Sequence, residues 1–168
     1  RTIGENSEIK PLVVGFRNSR LIPNESTSFM TSLNLDKKVP VSYFRAPELE
    51  SGPYDEKVDV FAFAGILYEL IEGHAPFRDR LKHEVMKMLD KCQRPEFTKK
   101  VPDELKNLIE CCWKQDPKER YTFDQVINEM INKRIIFPDD EKRSDCIEKF
   151  YEKKKAKNDK KNNCIASF

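Results

Sequence analysis

Three charged residues occur in contexts that separate them from the other charges of this 168-residue chain. Glu48 and Arg120 each close a stretch rich in proline, aromatic and charged residues, and Asp59 stands near the start of a long apolar segment. An unpaired carboxylate inside a protein is too costly to persist. We therefore expect Asp59 to accept hydrogen bonds from backbone N–H groups or to meet a cation. The two stretches are Phe44-Arg45-Ala46-Pro47-Glu48 and Cys112-Trp113-Lys114-Gln115-Asp116-Pro117-Lys118-Glu119-Arg120.

The residues that most often bind metal ions are not spaced for that purpose. His74 and His83 have no acidic or cysteine partner at ligand spacing, and the five cysteines match neither a zinc site nor a disulfide framework. We predict no metal site, and free thiols in a reducing cytoplasm. The cysteines are Cys92, Cys111, Cys112, Cys146 and Cys164.

The net charge of +2 is unevenly distributed along the chain. Nine basic and four acidic residues follow position 141, which leaves the preceding part at −3. An acidic body of this kind is not expected to bind a specific nucleic acid, whereas the basic tail over residues 142–161 could contact anionic surfaces weakly. The alternative is a tail that is only solvated. The apolar runs are too short for a transmembrane segment, and we expect no secretory signal.

Apolar periodicity predicts a mainly helical domain over residues 1–137 and a basic helical or disordered tail over residues 138–168. The first predicted helix is apolar on nearly every side, which is typical of a helix buried at the centre of a domain, and Gly73 is expected to end it. Residues 12–14 are predicted to form a short buried strand, and residues 18–39 a long surface loop. The predicted helices cover residues 54–72, 80–91, 102–114 and 122–133.

The order of these segments resembles the large, C-terminal lobe of a protein kinase. Ala46-Pro47-Glu48 resembles the motif that closes the kinase activation segment, here residues 18–48, and Asp59 resembles the Asp that opens the central helix. The resemblance implies that Glu48 forms an ion pair with Arg120 and that Asp59 accepts hydrogen bonds from the backbone of the catalytic loop. Arg94-Pro95-Glu96, Pro102 and Cys112-Trp113 look most like the tyrosine-kinase-like branch of Ser/Thr kinases.

The parts of a kinase that bind ATP and Mg²⁺ are absent or altered in this resemblance. The small lobe, the ATP lysine and the catalytic Asp are expected to precede Arg1, so the chain looks like a fragment without its own cofactor. The Asp-Phe-Gly motif aligns with Gly15, Phe16 and Arg17, and the catalytic-loop Asn aligns with Thr2. Gly15 has no side-chain oxygen with which to ligate a hard cation.

These departures favour a pseudokinase, an inactive kinase-like lobe that serves as a binding or scaffold module for protein partners in signalling. One alternative is part of an active Ser/Thr kinase that transfers the γ-phosphate of ATP to protein hydroxyls. Another is an unrelated helical interaction domain. Hydroxyl residues in the activation segment are candidate phosphorylation sites, although an ordinary polar loop would contain them too. They are Ser26, Thr27, Ser28, Thr31 and Ser32.

Overall fold

The computed structural model describes residues 12–14, 16, 19, 30–31, 42–50, 53–133, 135 and 152. Within them the chain is mainly helical, as predicted, with one pair of short antiparallel strands. Met30 of the first strand lies opposite Tyr54 of the second. The elements are β1 (Met30–Thr31), β2 (Pro53–Tyr54), α1 (Lys57–Glu72), α2 (Lys82–Asp90), α3 (Asp103–Cys112) and α4 (Phe123–Asn132). None of the helices in this described part has the length and apolarity needed to cross a membrane.

The central helix α1 begins and ends at identifiable backbone signals. The Asp55 carboxylate accepts a 2.9 Å hydrogen bond from the Lys57 N–H, which satisfies one of the free donors of the first turn. At the other end, Gly73 adopts φ 80° and donates to the Glu69 carbonyl at 2.8 Å. Glycine takes this left-handed conformation without the penalty of a Cβ atom, so the predicted helix end at Gly73 is confirmed.

The prediction that α1 is buried on all sides is only partly right. One face packs against α3 and the rest of the core, with Val60, Ala64 and Leu67 fully buried. On another face Ile66 is 48% and Leu70 66% exposed, because nothing in the described part of the chain covers them. The sequence places apolar residues on both faces, whereas the described elements bury only one of them.

The three shorter helices start and end within two residues of their predicted limits. At the start of α4, the Thr122 hydroxyl accepts from the Gln125 N–H at 3.2 Å, and the Gln125 side chain accepts from the Thr122 N–H at 2.8 Å. This reciprocal capping satisfies two backbone donors at the helix end. Each of these helices points its buried residues toward α1 and the shared core, including Val85, Leu105 and Val126.

The strand predicted at residues 12–14 is wrong. These three residues have no regular secondary structure and their side chains are almost fully exposed. A strand requires a neighbour that accepts and donates its backbone hydrogen bonds, and among the described residues the only pairing is between β1 and β2. Apolar character alone could not supply such a neighbour.

A buried carboxylate at the end of α1 fixes the segment that precedes α3. Glu72 accepts hydrogen bonds from the Thr98 N–H at 3.0 Å, the Lys99 N–H at 3.1 Å and the Thr98 hydroxyl. The Lys99 ammonium in turn donates to the Ile71 carbonyl at 2.6 Å. Burial alone would raise the pKa of Glu72, but the bonds from Thr98 and Lys99 outweigh it and hold that pKa below its ordinary value.

We predict that Glu72→Gln lowers the free energy of unfolding by about 1–3 kcal/mol at neutral pH, because a neutral amide replaces a carboxylate that accepts three bonds. The lowered pKa means that the carboxylate stabilises the fold above the ordinary Glu pKa of about 4.3, and that this stabilisation is lost as pH falls through the folded value. The difference in melting temperature between wild type and variant should therefore narrow below about pH 4.3.

The matched control is Glu69→Gln, which changes an exposed carboxylate on the same helix. Thermal unfolding across a pH series measures both variants. A Glu72→Gln protein that matches the control at every pH would contradict the role assigned to the buried carboxylate.

Candidate functional site

The segment 43–50 is built as a tight bend that presents Glu48 to the core. Pro47 occupies the first position of a short 3₁₀ helix, Pro47–Leu49, where its fixed φ and missing N–H suit a helix start. Ala46 before it is completely buried, and the Glu50 N–H closes the turn on the Pro47 carbonyl at 3.1 Å. The small and cyclic residues thus carry the chain into the core and leave the next side chain pointing inward.

Glu48 and Arg120 meet there, 72 residues apart in sequence, in the ion pair that the resemblance implies. Arg120 Nη1 lies 2.7 Å from Glu48 Oε1, and Nη2 lies 3.3 Å from Oε2. This two-point contact fixes both the distance and the plane of the guanidinium. The Arg120 side chain is 0% exposed and that of Glu48 11%, so water contributes little to either charge.

Arg120 also uses every one of its remaining N–H groups. Nη1 donates to the Lys57 carbonyl at 2.8 Å, Nε to the Lys114 carbonyl at 3.1 Å and Nη2 to the Gln115 carbonyl at 3.4 Å. A guanidinium has five N–H donors, and with the two bonds to Glu48 all five are occupied. Full satisfaction explains how a charged group can be buried completely.

The aromatic ring of Phe61 lies between two guanidinium groups. The centre of its ring is 5.0 Å from Arg120 and 5.2 Å from Arg94, distances at which a cation is attracted to the ring face. Arg94 is held by the Trp113 carbonyl at 2.7 Å and the Gln115 side chain at 2.9 Å. Burial lowers the pKa of Arg94, and the nearby Arg120 lowers it further.

Trp113 closes the inner side of this cluster. It is buried, and its ring centre lies 6.3 Å from that of Phe61 and 5.8 Å from that of Tyr68. Its backbone carbonyl accepts from Arg94, so the residue supports the cluster through both its ring and its main chain. We call the group formed by Glu48, Arg120, Phe61, Arg94 and Trp113 the anchor cluster.

A glycine in α1 makes room for the same bend. The ring of Phe44 packs directly on Gly65, and a Cβ atom at position 65 would come within 2.6 Å of Phe44 Cδ1. Real Cβ atoms do not approach other carbons this closely, so any larger residue would displace the ring. Gly65 and the anchor cluster therefore hold the two ends of segment 44–48 against α1.

Comparison with known proteins agrees with this arrangement. A family model described as protein tyrosine and serine/threonine kinase matches residues 18–130, which is more than half of the chain. The chain belongs to the protein kinase family. Glu48 and Arg120 both lie inside the matched range, and so does the whole anchor cluster.

Several kinases are similar to this chain over about half of its length. A probable serine/threonine-protein kinase of Dictyostelium discoideum is 39% identical over 85 residues, which are 50% of this chain and 9% of that protein. Serine/threonine-protein kinase VIK of Arabidopsis thaliana is 38% identical over 100 residues, 58% of this chain and 23% of VIK. STY17 of the same plant is 38% identical over 103 residues, 60% of this chain and 18% of STY17. The chain thus spans less than a quarter of the length of these kinases.

Asp59 is not buried as predicted, and its hydrogen bonds to the catalytic loop stay a prediction, because the residues aligned with that loop lie outside the described part. This residue lies in the first turn of α1, where it is exposed, and its carboxylate makes no hydrogen bond or ion pair with the other described residues. Partial burial raises the pKa of Asp59, but water still reaches the group and solvates it. The apolar segment suggested a buried helix start, whereas this turn of α1 lies at the surface.

The residues aligned with the metal-binding positions fall mostly outside the described part of the chain. Thr2, Gly15 and Arg17 lie outside it, and Phe16 is described and 66% exposed. Among the described residues no three His, Cys, Asp or Glu side chains come together in a way that could hold a metal ion. Gly15 has no side-chain oxygen and Thr2 has only a neutral hydroxyl, so the loss of both Mg²⁺ ligands stays a prediction from the sequence.

The phosphorylation candidates are also largely outside the described residues. Thr31 lies in β1, where the structure describes its backbone opposite Pro53. Ser26, Thr27, Ser28 and Ser32 are not among the described residues. The basic tail over residues 142–161 lies outside them as well, apart from Glu152.

Two polar residues of this region were not singled out by sequence reasoning for their structural role. Arg94 entered only as part of a branch motif, and Glu72 only as the last residue of a predicted helix. Their importance comes mainly from carbonyl and N–H groups of segments 19 to 27 residues away. Backbone groups are the same in every residue, so the sequence contains no signal that would identify these partners.

We predict that Arg120→Ala lowers the free energy of unfolding by about 3–5 kcal/mol, because it leaves the nearly buried Glu48 charge without a partner. Arg120→Lys should lose most of the same stability, since an ammonium cannot reproduce the planar fork. Urea unfolding followed by tryptophan fluorescence measures both, because Trp113 reports on the cluster. Arg78→Ala is the control, as its pair with Asp79 is exposed and is expected to change stability by less than about 1 kcal/mol. Equal midpoints for Arg120→Ala and the control would contradict the anchoring role.

The contact between Gly65 and Phe44 predicts that the effect of Gly65→Ala on stability changes sign when the Phe44 ring is removed. Gly65→Ala should destabilise by about 1–3 kcal/mol, because its new methyl group overlaps the Phe44 ring. In a Phe44→Ala background the overlap is gone, and the same change should stabilise by up to about 1 kcal/mol through helix propensity. Urea unfolding of the four proteins forms a double-mutant cycle. A Gly65→Ala effect of the same sign in both backgrounds would refute the close contact.

Proposed function

We propose that this member of the kinase family is a pseudokinase lobe, a catalytically inactive binding or scaffold module in signalling. The observation that carries the proposal is Gly15, which stands where the family has the Asp that holds Mg²⁺. Thr2 in place of the catalytic-loop Asn supports it. Ser/Thr kinases also commonly carry Gly-Thr-x-x-Tyr before Ala-Pro-Glu, and Val41 aligns with the Thr of that motif. Three separate positions needed for phosphoryl transfer have lost the required oxygen or amide.

The anchor cluster supports a binding role. Glu48 and Arg120 hold the end of the activation segment at an energetic cost of burying two charges. A chain that has lost its metal ligands but keeps this arrangement would keep the surface that the anchor cluster holds in place, without catalysing phosphoryl transfer. Function in such a fold must come from surfaces, because fold alone does not imply activity.

The wider assignments belong to the same proposal. We place residues 1–137 in the kinase-like lobe and residues 138–168 in a basic tail. The similarity to VIK and STY17 supports kinship with tyrosine-kinase-like kinases. Cysteine spacing without a disulfide pattern supports a cytoplasmic location. A phosphate on any of the candidate hydroxyls, from Ser26 to Ser32, would order the activation segment by pairing with arginine.

The second candidate function is that of a segment of an active Ser/Thr kinase. The relatives named above are described as serine/threonine-protein kinases, and this chain spans less than a quarter of their length. An ATP lysine and a catalytic Asp in preceding sequence would favour this alternative. They would still leave Gly15 at the metal position.

A Mg-ATP thermal-shift assay on the full-length protein tests the proposal. We expect no Mg²⁺-dependent rise in melting temperature for the wild type, and no transfer of radiolabelled phosphate by the 168-residue chain. The double variant Gly15→Asp with Thr2→Asn should gain a Mg²⁺-dependent stabilisation, of about 2.7 kcal/mol at a nucleotide concentration of a hundred times Kd. Gly15→Leu is the control, because it adds bulk without an oxygen. Phosphate transfer by the wild-type protein would refute the pseudokinase assignment and favour the alternative.

A further inference from the structure

A cleft of about 820 Å³ opens beside α2, between the loop that follows α1 and the segment that precedes α3. Its less polar lining consists of aromatic rings and a methionine side chain. Tyr68 and His74 meet edge to face with ring centres 5.9 Å apart, and Phe77 and Met88 are half-buried beside them. A concave site with several apolar groups and a few polar ones at its edge is the usual form of a binding site.

The stretch of sequence that supplies most of the cleft lining differs in charge from the rest of the domain. Residues 78–100 contain eight basic and four acidic residues, a net charge of +4. The other residues before position 142 together carry −7. The basic residues of this stretch are Arg78, Arg80, Lys82, Lys87, Lys91, Arg94, Lys99 and Lys100. Three of these eight, Arg78, Arg80 and Arg94, line the cleft together with two acidic residues, and exposed basic groups attract acidic partners.

Two arginines at the cleft have guanidinium groups that the described residues leave largely unused. Among those residues, the Arg78 guanidinium pairs only with its neighbour Asp79, at 3.5 Å, and the two side chains are 58% and 85% exposed. The Arg80 guanidinium makes no hydrogen bond or ion pair with any residue in the described part of the chain. Arg94 differs, since its guanidinium donates inward to Trp113. Acidic groups at the cleft are limited, among described residues, to Asp79 and Glu96.

The loop that carries the two arginines is held in a defined conformation. Phe77 has φ 54°, a left-handed value that costs a bulky residue about 1–3 kcal/mol and persists only where the surroundings impose it. The Arg80 N–H donates to the Phe77 carbonyl at 2.9 Å, and the Tyr43 hydroxyl donates to the Arg80 carbonyl at 3.1 Å. The second bond connects the loop to the bend that contains Glu48. The arginines therefore stand on a pre-organised turn, which reduces the entropy cost of binding.

We propose that this cleft docks an acidic peptide segment of a partner protein, with an apolar side chain against Phe77 and Met88 and flanking carboxylates on Arg78 and Arg80. The proposal rests on the binding role proposed above, and it names the chemistry of the partner. Arginine binds carboxylates through paired N–H groups, and the aromatic lining offers burial for one apolar residue. The site lies beside the end of the activation segment, so a bound peptide would contact the surface that the anchor cluster shapes.

Fluorescence anisotropy with a labelled synthetic peptide tests the inference. The probe has one central Phe between runs of Glu, and it is titrated with the full chain in the absence of ATP and Mg²⁺. We expect saturable binding that weakens about tenfold in Arg78→Glu and in Arg80→Glu, as loss of one charge-assisted contact implies. Lys118→Glu is the matched control, because it makes the same charge change at an exposed lysine that does not line this cleft.

Two further probes resolve the parts of the site. Replacing Phe by Ser in the peptide should weaken binding by removing the apolar anchor, and replacing Glu by Gln should weaken it by removing the charge. Equal loss in Lys118→Glu and Arg80→Glu would overturn the proposal, since the attraction would then be unspecific. Absence of saturable binding, or tighter binding of an oligouridylate that the arginine variants abolish, would overturn it as well.

The outcome is independent of catalysis. A protein that transfers phosphate yet binds the acidic probe through Arg78 and Arg80 would refute the pseudokinase assignment and leave the docking site intact. A protein that transfers no phosphate and does not bind the probe would refute the docking site and leave the pseudokinase assignment intact.

Discussion

The fold of this chain depends on a charge that has no access to water. Arg120 is buried completely, and burial is possible only because Glu48 and three backbone carbonyls accept all five of its N–H groups. Those acceptors come from the bend at residues 43–50, the first turn of α1 and the segment after α3. One side chain thus joins three parts of the chain that are far apart in sequence. Such a group requires all of its acceptors, because the loss of any one leaves a buried donor unsatisfied.

The other residues of the anchor cluster accommodate the buried Arg120 charge. Phe61 offers its ring to Arg120 on one side and Arg94 on the other, so two like charges share one aromatic surface. Glu48 offsets their mutual repulsion, and the Trp113 carbonyl holds Arg94 in place. This arrangement orients the bend at residues 43–50, and the Tyr43 hydroxyl bonds that bend to the carbonyl of Arg80 in the loop beside the cleft. Anchor and cleft are therefore parts of one continuous hydrogen-bonded framework.

The elements with strong local signals could be predicted from the sequence. Periodicity located four helices, Gly73 marked an end that its left-handed φ requires, and two motifs brought Glu48 and Arg120 together across 72 residues. Solvent exposure was harder to predict. Residues 12–14, Ile66 and Leu70 are apolar but exposed, and Asp59 is exposed although its segment is apolar. Burial depends on which element lies over a residue, and that is a property of tertiary packing rather than of local pattern. The acceptors of Arg94 and the donors to Glu72 could not be predicted either. Most of them are main-chain groups, which are the same whatever the residue type.

The use of main-chain acceptors by Arg120 has a consequence for how this region can vary. The carbonyls of Lys114 and Gln115 do the accepting, so the exposed side chain of Lys114 is free to change while its peptide group is not. Substitution there leaves the geometry intact, whereas inserting or deleting a single residue between positions 114 and 120 would shift the peptide groups out of reach of the guanidinium. The number of residues in this turn is therefore more strictly constrained than their types.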